Sequence, residues 1–337
     1  MSVRRVIPLS TILLALAACG GSPQSTLAPA GPAAGLLAHL GWVVYITFGI
    51  AAVVTIIIVL MAALRRRGSL DGHLPIDIGG GHQWILIGGL AIPFVVLTGI
   101  FILSLVRESA FPIKDGGKVT PEIQVIGHQW WWEVHYLTGP ENEHFVTANE
   151  IHIPVGRPVD IELQSGDVVH SFWVPALHGK VELIPGVTNY IRIEADRPGS
   201  YQGQCAEFCG AQHAHMRLLV VADSPQTYAA WHQHMLSPAA IPQGVDAQHG
   251  EAVYMNAACT FCHTIGGTPS QGKVAPDLTH LASRQYIAAN TYRNDTADLE
   301  AWVTHAQSMK PGVLMPNLTS FNGVDLRDLV AYLDQLK

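Results

Sequence analysis

Within the twelve residues Cys205-Ala-Glu-Phe-Cys209-Gly-Ala-Gln-His213-Ala-His-Met216, Cys205, Cys209, His213 and Met216 supply two thiols, an imidazole and a thioether. Soft and borderline donors at this density suit copper. Zinc would accept the cysteines and the histidine, but a methionine at fixed spacing is not a zinc pattern. Two thiolates can bridge two metal ions. Each ion then shares both sulfurs, charge is delocalised, and little reorganisation accompanies the arrival of an electron. A disulfide between Cys205 and Cys209 is the competing reading in an oxidising compartment; His213 and Met216 argue against it. A dinuclear site needs a second imidazole from elsewhere. His170, in Asp167-Val-Val-His170-Ser-Phe-Trp-Val-Pro175, is the candidate, although a lone histidine in a β run is more often an ordinary core or surface residue. His215 is read as surface.

A second constellation is Cys259-Thr-Phe-Cys262-His263, the attachment pattern of a c-type haem. Two thiols add to the haem vinyl groups, and the adjacent histidine is forced beneath the iron. A thioredoxin-like Cys-x-x-Cys would require a βαβ context; this segment follows a helical run and precedes Pro- and Gly-rich loops. Of the five cysteines, the last, Cys19, falls in a leader.

These residues need elements to hold them. The 337 residues are 49% hydrophobic and 13% charged, an apolar bias that points to membrane segments. A net charge of −7 argues against a nucleic-acid partner. Residues 1–19 read as an export signal: Arg4 and Arg5, an apolar run, then Leu16-Ala17-Ala18-Cys19 in the form of a lipobox, with Cys19 the lipidated residue. Uncharged runs at 41–64 and 84–106, within a hairpin spanning 38–108, each exceed the roughly 20 residues needed to cross a bilayer. Arg65-Arg66-Arg67 places the short loop between them in the cytoplasm, so both chain ends lie outside.

In a unit spanning 118–236, short β-type runs from about 121 to 222 alternate with Gly, Pro and Asp turns: Glu150–Pro154, Val159–Leu163, Val168–Pro175, Tyr190–Ala195 and Arg217–Val221. This spacing predicts an antiparallel sandwich or barrel. A helix over Ser224–Leu236 closes the unit, capped by Ser224 with Pro225 at its first position. Residues 237–244, Ser-Pro-Ala-Ala-Ile-Pro-Gln-Gly, have linker composition and would let the following unit dock and undock. Helical runs at 245–258, 298–307 and 325–336 predict an all-α unit over 245–337, about 90 residues, viable if a cofactor fills its core.

At this point the chain resembles subunit II of the haem–copper cytochrome c oxidases. The matching pieces are Gly127-His-Gln-Trp-Trp-Trp-Glu133, Asp167–Pro175, Ile184-Pro-Gly186 and Cys205–Met216, in order after two membrane helices. The resemblance implies a cupredoxin-like Greek-key β-sandwich. It implies a dinuclear copper centre on His170, Cys205, Cys209, His213, Met216 and the Glu207 carbonyl. It implies a magnesium ion between the Glu207 side chain and subunit I, and Trp130 as the point where electrons enter. One departure stands out. Many members carry a glutamate three residues before the tryptophan that opens the second helix; counting back from Trp84 gives Gly81, beside His82, and Asp77 is out of register. A proton-feeding role for this subunit is therefore in doubt.

The segment 245–337 is similar to the class I cytochromes c. That resemblance implies His263 and a later methionine as axial iron ligands, and Lys310-Pro-Gly-Val-Leu-Met315-Pro316 selects Met315 over Met309. It also implies that Gly250 and Tyr254 meet the last helix near Tyr332. Together the resemblances imply an oxidase of the caa3 type. Its electron-input subunit would sit in the bacterial inner membrane with both cofactor units on the periplasmic side. Its partners would be subunits I and III and a cytochrome c or similar donor, and reduction of oxygen to water would be coupled to proton translocation. Two rivals use the same residues: a subunit of a nitric or nitrous oxide reductase, and a membrane redox module without subunit I. The axial-ligand choice is testable. Replacing Met315 should change the haem's low-spin absorption spectrum, whereas replacing Met309 should leave it as in the wild type.

Overall fold

The computed structural model describes residues 24–65, 81–108 and 120–337. The export signal with Cys19, the loop residues Arg66 and Arg67, and Asp77 lie outside the described residues. The chain divides into two units, residues 35–114 and the remainder.

The smaller unit holds two long apolar helices. Helix α1 is Pro32–Leu64 and helix α2 is Gly81–Glu108, with mean hydropathy of 2.8 and 2.6. Both exceed the predicted spans, because the Ala- and Gly-rich approach to the first run and the residues flanking the second continue in helical geometry. Within α2, Ile85–Ala91 is wound as a π-helix around Gly88-Gly89, a local widening that these residues without side chains permit.

The larger unit begins with a β-sandwich of two five-stranded sheets. The first has the order β3 (Phe145–Ala148), β2 (Trp131–Tyr136), β1 (Ile123–His128), β5 (Val159–Ser165), β8 (Asn189–Ile193). The second is β4 (Glu150–Pro154), β10 (Arg217–Asp223), β9 (Gly199–Cys205), β6 (His170–Trp173), β7 (Val181–Leu183). Pairing is antiparallel except for β1 with β5 and β4 with β10. The connections that return across the sandwich make those two parallel pairs, as in a cupredoxin-like Greek key. Alternate residues point inward: Ile123 and Val125 of β1, Trp132, Val134 and Tyr136 of β2, Val159, Ile161 and Leu163 of β5. Strand β9, Gly-Ser-Tyr-Gln-Gly-Gln-Cys, buries Tyr201, Gly203 and Cys205. The segment before α1 joins this sandwich: Ala30 donates to Ala176 O at 2.7 Å and accepts from Asp196 N at 2.7 Å.

Helix α3, Pro225–Met235, starts on Ser224, whose Oγ accepts from Thr227 N. Its Trp231 stacks on His152 at 4.1 Å. Residues 237–244 do not run free. Ser237 O accepts from His280 Nε2 at 3.1 Å, Ala239 N donates to Gly266 O at 3.0 Å, and Gln243 exchanges two hydrogen bonds with Gln335.

The last part is helical: α4 (Val245–Asn256), a single turn α5 (Cys259–Cys262), a small hairpin β11 (Tyr286–Ile287) and β12 (Tyr292–Arg293), then α6 (Thr296–Met309) and α7 (Gly323–Leu333). Helices α6 and α7 are capped by Asp295 and Asn322. Helices α4 and α7 cross at Gly250, with Tyr254 edge-on to Tyr332 at 5.8 Å. A Cβ at Gly250 would lie 1.8 Å from Asp328 O, so only glycine admits the crossing. Gly250→Val should therefore destabilise the helical part by about 3 kcal/mol, read as a lower denaturation midpoint followed by far-ultraviolet circular dichroism.

Candidate metal and haem centres

The turn from β9 and the start of β10 bring the Cys205–Met216 loop to one end of the sandwich, where β6 delivers His170. Cys205, Cys209, His170 and Met216 are all nearly or fully buried. The two sulfurs are 3.7 Å apart and unjoined. Around them lie His170 Nδ1, 3.9 Å from Cys205 Sγ, and His213 Nδ1, 3.7 Å from Cys209 Sγ. Met216 Sδ is 3.8 Å from Cys209 Sγ, and Cys205 Sγ lies 3.2 Å from Glu207 O. All six groups named from the sequence thus meet in one place. The Glu207 side chain is half-buried, and His215 is exposed.

The pocket favours a thiolate. Because the Cys209 thiol donates to it, and despite desolvation, Cys205 is held low, at about 3. Nearby backbone groups add to this. Cys209, which keeps the shared proton, is pushed up. A pair that sheds its first proton this readily is ready to bind a soft metal. The donor set therefore fits copper.

Asp167, to which the sequence reading gave no role, sets the His170 ring. His170 Nε2–H donates to Asp167 Oδ1 at 2.7 Å, which leaves the Nδ1 lone pair facing the sulfurs. Despite burial, the neighbouring Cys205 sulfur and Asp167 carboxylate raise the ring's pKa. Asp167 also accepts from Gln129 N and Val168 N, at 2.6 Å each. Gly127 makes room: a Cβ there would lie 2.8 Å from His170 Cδ2. The signal was present, an aspartate three residues before the histidine, but nothing in the spacing distinguished it from a turn residue.

The β1–β2 turn carries Trp130. Its Nε1–H donates to Cys209 O at 2.9 Å, and Gln129 Nε2 donates to the same oxygen at 2.7 Å. Glu133 clamps the base of this turn, accepting from His128 at 2.8 Å and His135 at 2.6 Å. Desolvation opposes ionisation of Glu133, yet these two bonds hold its carboxyl at about 2. Trp132 is fully buried, edge-on to His170 and Phe172.

In the helical part, Cys259 and Cys262 are free, half-buried thiols on the one-turn α5. His263 follows, and its Nδ1–H donates to Pro276 O at 2.7 Å. That bond fixes the tautomer and leaves the Nε2 lone pair free for a metal. Burial pushes the His263 ring down, so it is neutral, as an iron ligand must be. Apolar Phe261, Val274 and Leu314 stand exposed beside the motif and beside Met315, the kind of surface a porphyrin covers. The residues fit a haem. Met315 is half-buried and its carbonyl accepts from Gln307 Nε2 at 2.7 Å; Gly312 N donates to Gln307 Oε1 at 3.3 Å. Gln307 thus shapes the Met315 loop, a role invisible from its place at a helix end. Met309 ends α6, with its carbonyl accepting from Tyr292.

Two family descriptions match the chain: "Cytochrome C oxidase subunit II, periplasmic domain" over residues 137–223 and "Cytochrome c" over 247–337. A cytochrome c oxidase subunit 2 of Alkalihalophilus pseudofirmus is 35% identical, with 99% of this chain aligned to 97% of that one. The chain belongs to the cytochrome c oxidase subunit 2 family. The subunit 2 of Bacillus subtilis is 25% identical, over 92% of this chain and 90% of that one. The solved periplasmic domain of oxidase subunit II from Bradyrhizobium japonicum is 28% identical, with a TM-score of 0.32, covering 35% of this chain and 95% of that one.

As a subunit II with a cytochrome c unit, the protein is an electron-input subunit of a haem–copper terminal oxidase and associates with subunit I. Its apolar helices and periplasmic-domain match make it a membrane protein with a periplasmic domain. The family implies a copper centre in the sandwich and a haem in the helical unit. Acid should weaken the site's scaffold in a defined window. The Glu133 carboxyl is depressed from 4.5 to about 2, so its contribution is whole above pH 4.5 and disappears as pH falls toward 2. Denaturation midpoints of wild type and Glu133→Gln should differ at neutral pH and converge across that window.

Proposed function

We propose that this subunit receives electrons at a haem c held by Cys259, Cys262, His263 and Met315 and delivers them to a dinuclear copper centre. The copper would be held by His170, Cys205, Cys209, His213, Met216 and the Glu207 carbonyl. From there electrons go to subunit I, where oxygen is reduced to water with proton translocation. When bound, both groups supply one-electron carriers that cycle without bond rearrangement. The observation that carries the reading is the convergence of two unjoined sulfurs, two imidazole Nδ1 atoms, a thioether and a carbonyl at one buried point.

The chain's residues make that point rigid and dry. Asp167 fixes the His170 ring, Gln129 and Trp130 hold the Cys209 carbonyl, and Trp132 and Phe172 wall off water. A stiff, water-excluded ligand set keeps reorganisation small on gain or loss of an electron. Trp130, tied to the Cys209 carbonyl, is the point where electrons enter the copper unit. The half-buried Glu207 side chain is the ligand we assign to a magnesium ion shared with subunit I. The two apolar helices cross the inner membrane with the loop between them cytoplasmic, and subunit III and a cytochrome c donor complete the set of partners. A Cys19-lipidated leader fits the same topology.

The complex purified from membranes should contain subunit I and take up oxygen with reduced cytochrome c as donor. The extramembrane portion of this subunit should hold two coppers per haem iron. One copper per iron would overturn the dinuclear assignment, and a preparation without a haem–copper subunit would overturn the oxidase role.

A further inference from the structure

Lys310 opens the loop that leads from α6 to Met315. A lysine there would ordinarily trail its ammonium in water. Here the residue is only 1% exposed. Its Nζ donates to two backbone carbonyls at 2.9 Å each: His215 O, in the copper loop, and Ala288 O, in the haem part. Neither acceptor is a carboxylate, so the buried ammonium is held by carbonyl dipoles and not by a salt bridge. Burial pushes it down to about 7.

The surroundings are built for this contact. Ala288 belongs to the β11–β12 turn, where Ala288, Ala289 and Asn290 take φ of 53°, 56° and 54°. Three consecutive left-handed residues without a glycine are costly, and such turns persist only where the surroundings hold them. Both alanine carbonyls are used against the copper loop: Ala288 O shares Lys310 with His215 O, and Ala289 O accepts from Arg217 N at 3.2 Å. Arg217 directly follows the ligand candidate Met216. Three more bonds cross between the parts. Gln212 Nε2 donates to Pro311 O at 2.8 Å, Thr291 Oγ1 to His215 O at 3.2 Å, and Gln285 N to Glu150 Oε2 at 3.1 Å. Two residues beyond Lys310, a Cβ built on Gly312 would lie 3.8 Å from Trp130 Cη2 and 3.8 Å from Ala211 Cβ. The loop that carries Met315 therefore lies on the ring whose Nε1–H bonds to Cys209 O.

We propose that Lys310 is the latch of a fixed dock within the chain, joining the Met315 loop to the copper loop and seating Gly312 against Trp130. Lys310 acts by position; it touches neither cofactor. The proposal rests on the cofactor assignments above, and its test separates the two. In the purified complex, Lys310→Met removes the donor while keeping the length of the side chain. Copper and haem content and the haem spectrum should match the wild type; their absence from the wild type would fail the cofactor assignments, not the latch. Transfer from flash-reduced haem to copper should slow by about tenfold or more, and Lys310→Arg should restore part of the rate. Hydrogen exchange at the Arg217 amide should accelerate in Lys310→Met, while the Val220 amide, inside β10, stays protected. Wild-type transfer rates in Lys310→Met, or unchanged exchange at Arg217, would overturn the proposal. The wild type alone also decides if the variant does not fold: an Arg217 amide that exchanges as fast as an unstructured one means that no dock exists.

Discussion

Two sulfur atoms lie 3.7 Å apart in a water-excluded pocket without being joined, and the surrounding structure is arranged around keeping them so. Each is surrounded by a donor that suits a metal better than a second sulfur. The sandwich supplies what the loop cannot: β6 brings His170 from a distant point in the chain, and the β1–β2 turn closes over the Cys209 carbonyl. Removal of either support would leave a flexible loop with two thiols in an oxidising compartment, where a disulfide is the expected product.

The outer contacts share one logic. Asp167 orients His170, Pro276 O orients His263, and Gln307 shapes the approach to Met315. For the two histidines the hydrogen bond selects which ring nitrogen is presented; for Met315 it shapes the loop that carries the residue. The protein thereby spends its polar groups on orientation rather than on chemistry, as suits a carrier in which no bond forms or breaks.

The candidate donors stood out in the sequence because their types are rare and their spacing is tight: Cys205 to Met216, and Cys259 to His263. The two apolar helices, the β-sandwich and the helical part were legible as classes from composition and period. The supports were not. Asp167 and Gln307 are common types that a turn or a helix end carries in any case, so their short spacing to His170 and Met315 did not mark them out; Lys310 bonds to His215 O far back in the chain, and local spacing carries no record of such a partner. Strand β9 escaped the pattern for another reason. Its inward positions are Tyr201, Gly203 and Cys205, so the alternation exists but is written in residues that do not read as apolar. The start of α1 at Pro32 was hidden among alanines and glycines that suit loops as well as helices.

Residues 237–244 read as a tether, yet their hydrogen bonds belong to the helical part. Gln243 is paired with Gln335, and Ala239 bonds to Gly266 and packs against the helical core. The folding unit therefore begins ahead of its first helix, near the end of α3, and not at Val245. A helical fragment cut where the composition changes would lose part of its own wall. Compositional boundary and physical boundary differ by about two turns of helix here, and the autonomy of the haem-bearing part has to be judged from the physical one.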